Sequence, residues 1–330
     1  MLTTKDIAVV ILNWNGKDLL ERFLPSVVKY SDEATIYVAD NASTDDSVKY
    51  ISQHFSTVKL IENTENGGYA KGYNDALKHV DEPILCLLNS DAEVTLQWLK
   101  PIVNQFNSNS KTAIIQPKLL DYKNKSKFEY AGAAGGFIDK YGYPYCRGRI
   151  FDTIEDDCGQ YNDVKTIFWA SGACFFIRNS VFKSLNGFDS SYFAHMEEID
   201  LCWRAFNKGY DIKYVGTSTV YHLGGATLKN TSPKKTYLNF RNSLFTLVKN
   251  TDKKVFIRTV IRMKLDGIAA IRFLIKLQPQ HFLAIFKAHL SFYKNLNPVL
   301  KQRKNLTKRT GYYETKSIVW SYFIKGRRHF

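Results

Sequence analysis

The chain has 330 residues, 45% hydrophobic and 14% aromatic, enough for one large core or a core with an appendage and too apolar for a disordered protein. Its net charge of +15 is uneven, because residues 1–228 hold 23 Lys/Arg against 28 Asp/Glu whereas residues 229–330 hold 23 against 3. The five cysteines show no CxxC spacing, which argues against a disulfide framework or zinc site, and no apolar run reaches the ~20 residues needed to span a bilayer.

Ile7 to Leu12 is a continuous apolar run, as expected of a buried parallel strand. After the Asn13–Gly16 turn, Leu19, Leu20, Phe23, Leu24 and Val27 recur at helical spacing. A second strand, Ala34 to Ala39, ends at Asp40, and Ser43 or Thr44 is placed to cap a helix through Val48 and Ile51. Val58 to Glu62 reads as a third strand, followed by the loop NTENGGYAKGYN and a helix through Ala76 and Leu77. Ile84 to Leu88 is a fourth strand, ending at NSDAEV. This alternation predicts an α/β fold, a Rossmann-like and mostly parallel central sheet with flanking helices, in which ligands bind where the strands end.

From about Ile114 to Ile167 the rhythm breaks into a mixed insertion with weak strands such as Ala113 to Pro117. Phe168 to Ile177 then reads as another buried strand and Asn179 to Leu185 as a short helix. Ile212–Val215 and Thr219–His222 read as closing strands, and long basic helical patterns begin at Tyr237.

The acidic stretch GFDSSYFAHMEEIDLCWR, Gly187 to Arg204, places Glu197, Glu198 and Asp200 at the start of a helical pattern. On a helix Glu198 leads an apolar stripe with Leu201, Cys202 and Ala205, while Asp200 has Arg204 four residues on. Desolvation raises the first carboxyl and the cation lowers the second, the separation that acid/base chemistry uses. The same residues also fit a helix start that answers the macrodipole.

Asp91, beside Asn89 and Glu93, follows a buried strand and offers oxygen to Mg²⁺ or Mn²⁺. His222 could add a nitrogen better suited to Mn²⁺. Helix capping and a hydrogen-bonded structural histidine are the alternatives. Asp40 can accept from the imide N–H of uracil or thymine, or cap a helix. Gly67, Gly68 and Gly72 allow close backbone approach to a ligand, but their spacing is neither GxGxxG nor GxxxxGK[ST], which leaves a dinucleotide cofactor or a kinase without support.

The blocks VVILNWNG, VADNASTDDS, ENGGYAKGYN, LLNSDAEV, WASGACFFIRNSVFKSLNGFDSSYFAHMEEIDLCWRAFNKGY and VYHLGGAT resemble, in order and spacing, the motifs of family 2 glycosyltransferases over about residues 5–245, especially the bacterial rhamnosyltransferase-like branch. The resemblance implies a GT-A catalytic domain over 1–235, with a nucleotide half of about 1–110 and an acceptor half of about 111–235. It implies that Asp40 reads the nucleobase, that Asn13 and Asn15 lie near the nucleotide, and that Gly68, Lys71, Asn74 and Ser90 lie near the rest of the donor. Asn89 and Asp91 match the ends of the family's DxD element, with Asn89 one charge short, and His222 matches a histidine that completes the metal sphere in some members. Trp169, Ser171, Gly172 and Ala173 fall in the acceptor-side block. Glu198 stands where the catalytic base is expected, with Glu197 and then Asp200 as the next choices.

The implied reaction is inverting, metal-dependent transfer of rhamnose, a hexose or an N-acetylhexosamine from a dTDP- or UDP-sugar to a glycan hydroxyl, lipid-linked, in bacterial surface polysaccharide synthesis. Alternatives are a nucleotidyltransferase and an inactive tether. Residues 236–330 form a basic extension, in which Val255, Ile257, Val260, Ile261, Leu265, Ile268 and Ile271 recur near helical spacing with Lys and Arg between them. No nucleic-acid-binding signature accompanies the charge, so the expected partner is an anionic membrane at the cytoplasmic face. A helix packed on the catalytic domain with a solvated basic face is the alternative.

Overall fold

The computed structural model describes residues 1–31, 33–224 and 232–330. The first apolar run forms β1 (Ile7–Asn13), and the helical spacing after it forms α1 (Lys17–Tyr30). β2 (Thr35–Asp40), α2 (Ser47–His54), β3 (Lys59–Glu62), α3 (Gly68–Ala76) and β4 (Ile84–Asn89) continue the alternation. Successive residues of β1 serve opposite faces, as strand geometry requires. Ile7, Val9 and Ile11 pack with Leu20, Leu24 and Val27 of α1, while Ala8 and Val10 share the other core with Tyr73 and Ala76 of α3.

The order β3-β2-β1-β4 is parallel throughout, with Asn13 opposite Asp40 and Leu12 opposite Asn89. Polar strand-end residues that are far apart in sequence therefore emerge on one edge. Two local expectations change. The first turn of α2 is held by Asp45, whose Oδ1 accepts from Ser47 N at 3.1 Å, and not by Ser43 or Thr44, which bond to Asn13 and Asn15. α3 begins at Gly68, inside the expected loop, because Ala70, Tyr73 and Ala76 make a buried stripe that only a helix presents.

Next come β5 (Ala92–Val94), α4 (Leu99–Ser108) and β6 (Thr112–Asp121), then a small antiparallel sheet of β7 (Gly136–Ile138), β8 (Pro144–Cys146), β9 (Arg149–Ile150) and β10 (Thr153–Ile154). β11 (Val164–Ile167), β12 (Cys174–Arg178), α5 (Asn179–Ser184), α6 (Glu197–Asn207) and β13 (Asp211–His222) return to the large sheet, whose order is β11-β13-β6-β12-β4-β1-β2-β3 with β5 on β13. β12 is antiparallel to both neighbours, so this half of the sheet is mixed.

β6 is a long central strand, not the weak one expected; flanked on both sides, it buries even Gln116 and Lys118. The expected strand Phe168–Ile177 is broken, because β11 lies at the sheet edge and β12 at its centre, and residues 168–173 make the crossing. The two closing strands are one, with a register shift between Val215 and Thr219.

The C-terminal part forms α7 (Pro233–Asn250), α8 (Val255–Ile275), α9 (Pro279–Lys294), α10 (Leu296–Lys304) and α11 (Ile318–Phe323). α7 packs on α6 and α9, and the ring of Tyr312 lies 4.6 Å from that of Trp203, so this part shares the core that covers one face of the large sheet. α8 is helical as expected but turns part of its charge inward: Arg258, Arg262 and Asp266 are buried while Lys264, Ile257, Ile268 and Ile271 are exposed.

Candidate functional site

The acidic stretch begins with a turn held from both sides. Gly187 has φ +64°, and a Cβ there would stand 2.4 Å from Asn74 Oδ1, so the position admits only glycine. Asn74 accepts from Phe188 N and donates to Phe188 O, both at 2.8 Å, while the Arg204 guanidinium donates to the carbonyls of Leu185 and Gly187. Asn242 of α7 donates to the carbonyls of Tyr192, Ala194 and His195. These bonds fix the entry to α6, whose first residues are Glu197 and Glu198.

The three acids meet different fates. Glu197 is buried with Oε2 unpartnered, and desolvation followed by the nearby Glu198 holds its carboxyl well above the usual range. Glu198 is half-buried overall, yet its Oε2 is sequestered without a partner, and desolvation lifts its carboxyl to about 7 against the pull of the helix-start amides. Asp200 is fully buried, but Lys249 and Arg204 outweigh desolvation and hold it below its ordinary value. Its Oδ2 lies 2.7 Å from Arg204 Nε and 2.9 Å from Lys249 Nζ, and Asn250 Nδ2 donates to Oδ1 at 2.7 Å. Asp200 is therefore occupied as the centre of an ion-pair network.

A second cluster forms where β5 meets β13. Their register sets His222 opposite Ala92 and so beside Asp91. His222 Nε2 lies 3.0 Å from Asp91 Oδ1 and 3.2 Å from Asn89 Nδ2. Behind the ring, Glu129 Oε1 lies 3.2 Å from Nδ1, at ion-pair distance but out of hydrogen-bond alignment. Burial favours neutral imidazole, yet Asp91 and Glu129 overcome it and lift His222 to about 10. Burial likewise raises Asp91, and His222 more than reverses that. Glu129 carries no signal in the sequence, where it sits in an irregular stretch with no motif. Among the described residues no group of three or more His, Cys, Asp or Glu side chains is placed to hold a metal ion. The set is an open one of carboxylate, imidazole and amide, with a carboxylate behind the imidazole. Gly225 to Thr227 of the trailing block lie outside the described residues.

At the nucleotide end, Asp40 accepts from Asn13 Nδ2 at 3.1 Å and from Ser43 N at 2.8 Å. Asn15 accepts from Thr44 N at 2.7 Å and donates its own N–H to Ser43 Oγ. Asn13, Asn15 and Asp40 are thus brought together at the ends of β1 and β2, and half-buried Ser90 lies in the turn between β4 and β5.

The other residues expected near the donor make contacts within the chain. Asn74 is committed to the Phe188 backbone. Gly68, at φ +73°, lacks a Cβ that would stand 2.6 Å from Phe193 O, so it serves the docking of α3 on that loop. Gly72 makes room for Asn41, and Lys71 pairs with Glu65 and Asp75.

The acceptor-side block joins the two clusters. Asn89 N donates to Ala173 O at 2.9 Å, and a Cβ on neighbouring Gly172 would lie 3.9 Å from Glu198 Cδ. Tyr69 Oη fastens this turn by donating to Gly172 O at 2.9 Å. Trp169, Ser171 and Ala173 are buried and do not line an open wall. Trp169 lies flat on Gly136 and donates to Phe137 O, and Ser171 donates to Ala131 O, because the crossing from β11 to β12 turns these side chains into the core. Gly172 alone of the four is half-buried.

Known proteins resemble this chain in sequence and in fold. The family model described as glycosyl transferase family 2 matches residues 8–185. The N-acetylglucosaminyl-diphospho-decaprenol L-rhamnosyltransferase of Mycobacterium tuberculosis is 26% identical over 245 residues, covering 66% of this chain and 76% of that protein. Among solved structures, S. aureus TarS 1–349 in complex with UDP-GlcNAc superposes with a TM-score of 0.54 at 15% identity, covering 91% of each chain. The mannosyltransferase PcManGT from Pyrobaculum calidifontis, in complex with GDP-Man and Mn²⁺, gives 0.53 at 12% identity, covering 87% of each.

Proposed function

The chain belongs to glycosyl transferase family 2, and from that premise we propose that it transfers a sugar, with inversion, from a dTDP- or UDP-sugar to a hydroxyl of a lipid-linked glycan in the building of a bacterial surface polysaccharide. The observation that carries the reading is the turn Ser171–Ala173, with the Asp91–His222–Asn89 set bonded to one side of it and the raised carboxyl of Glu198 against the other. A leaving-group site and an acceptor-activating acid thereby share one edge of the sheet. The likeness to the M. tuberculosis rhamnosyltransferase supports a lipid diphosphate acceptor. Asp40, fixed at a strand end as an acceptor of N–H groups, supports a pyrimidine nucleotide.

Asp91 and His222 offer oxygen and nitrogen to a divalent cation of the Mn²⁺ or Mg²⁺ kind: Asp91 Oδ1 and Asn89 Nδ2 each lie within 3.2 Å of His222 Nε2, and the buried Glu129 stands behind the imidazole. Bound there, the cation would neutralise charge developing on the departing diphosphate. Glu198 takes the proton of the acceptor hydroxyl, whose oxygen attacks the anomeric carbon as the bond to the diphosphate breaks. The nucleoside diphosphate leaves with the bonding electrons, the proton stays on Glu198, and a single displacement inverts the anomeric centre. Burial supports this role, since a carboxyl poised near neutrality is a stronger base than an exposed one.

The test is binding and turnover with a panel of UDP-, dTDP- and GDP-sugars, with and without Mn²⁺. Cation-dependent release of UDP or dTDP, with an inverted product by NMR, is the expected result; a purine preference would overturn the role given to Asp40. A narrower prediction concerns Glu129. Glu129→Gln should weaken Mn²⁺ affinity by about 10–100-fold, read from the free-Mn²⁺ signal in a spin-resonance titration, with circular dichroism unchanged. Unaltered affinity would remove Glu129 from the site.

A further inference from the structure

α8 is folded inside out. Its buried side carries Arg258, Thr259, Arg262 and Asp266, while Phe256, Ile257, Ile268, Ile271 and Ile275 point away from the body, Phe256 and Ile275 at 78% and 77% exposure. A helix that faces water has the opposite arrangement. The orientation is held by satisfied polar contacts. Arg262 Nε pairs with Asp266 Oδ1 at 2.8 Å and its Nη1 donates to Gly142 O, Tyr143 Oη donates to Asp266 at 2.6 Å, and Arg258 Nη1 pairs with Asp252. Rolling the helix to hide its isoleucines would strand all of these charges, so the apolar face stays outward.

The face continues beyond α8. Leu277 is 88% exposed in the turn to α9, and on α9 Leu283, Phe286, Leu290 and Tyr293 recur at helical spacing on the exposed side. Most of the molecule's large exposed hydrophobic side chains lie in this C-terminal region, a concentration that marks an interaction surface. Its charge selects the partner. Lys264, Lys276, Lys287 and Lys294 are exposed among the apolar residues, whereas Asp252 and Asp266 are turned inward in ion pairs. The outward surface of the hairpin therefore bears a single sign, which a second copy would oppose and an anionic lipid surface would complement. Among the described residues no helix is long and apolar enough to cross a membrane.

We propose that the α8–α9 hairpin docks in the plane of an anionic bilayer, with its isoleucine, leucine and aromatic side chains in the headgroup–acyl boundary and its lysines on the phosphates. The docked face is one helix from the site: α9 packs on α7, and Asn242 of α7 holds the carbonyls of the loop that leads into Glu197. The inference deepens the lipid-linked reading of the acceptor, and its test needs neither donor nor acceptor, so the two can fail separately.

The full chain is floated with vesicles of phosphatidylglycerol and phosphatidylethanolamine, and with vesicles of phosphatidylcholine alone. Binding should be strong to the first, weak to the second and reduced by salt. Ile268→Glu with Ile271→Glu should weaken it by about tenfold or more while leaving circular dichroism unchanged, both side chains being exposed. Lys287→Gln with Lys294→Gln should reduce the preference for the anionic vesicles. The proposal is overturned if the wild-type chain ignores anionic vesicles or if the isoleucine variant binds as well as wild type. It is equally overturned if sedimentation shows a dimer that the isoleucine variant abolishes, since a second copy would then cover the face.

Discussion

Glu198→Gln is expected to lower kcat by about 10²–10⁴-fold while leaving donor affinity within a few-fold of wild type. Glutamine keeps the shape and the helix-start contacts but cannot accept the acceptor's proton. The pH profile gives an independent reading. Burial sets the Glu198 carboxyl at about 7, so its basic form is scarce below that pH and fully present above it; kcat/KM should climb through about pH 7 and level off on the alkaline side. Burial, and then its neighbour Glu198, hold the Glu197 carboxyl well above the usual range, and with Glu198 as the base Glu197→Gln should leave turnover on the alkaline side near wild type. Both variants belong in the comparison. Wild-type turnover in Glu198→Gln, with loss in Glu197→Gln, would move the base by one residue.

Asp200→Ala should destabilise the protein by about 3 kcal/mol, read as a lower midpoint of urea unfolding. The figure lies at the low end for a broken buried pair because the cations keep other partners: Lys249 retains Asp189 at 2.7 Å and Arg204 retains two carbonyls. The sign with pH follows from the direction of the shift. Desolvation raises the Asp200 carboxyl but Lys249 and Arg204 carry it below its ordinary 3.8, so its stabilising contribution is complete above that pH and disappears as acid protonates the folded form. The gap between wild type and variant should therefore close in acid. An Asp200→Ala protein of wild-type stability that has lost transfer would make Asp200 catalytic after all.

What could be read directly from the chain was whatever depends on neighbours in sequence. The apolar runs of β1, β2 and β4 are legible because a strand buried on both faces must be apolar at every position. The Asp200–Arg204 pair is legible because helical geometry brings residues four apart together. Asn13, Asp40, Asn89 and Asp91 were found as strand-end residues, and parallel register then set the first three of them along one edge.

What stayed hidden has one cause. Asn74 and Gly68 look like donor-loop residues until the chain returns with Phe188 and Phe193 to occupy them. Trp169 looks like a site aromatic until the crossing between β11 and β12 lays it on Gly136. Glu129 has no motif and gains meaning only when β13 delivers His222 beside it. The family, the parallel half of the sheet and the acids at the start of α6 follow from the order of residues alone, since each rests on local pattern. Which of those acids stays unpaired, which carboxylate stands behind His222 and which side of α8 faces outward come from the folded chain. Those outcomes depend on partners tens to more than a hundred residues away, whose burial sets what a charge costs and whether an apolar side chain is covered.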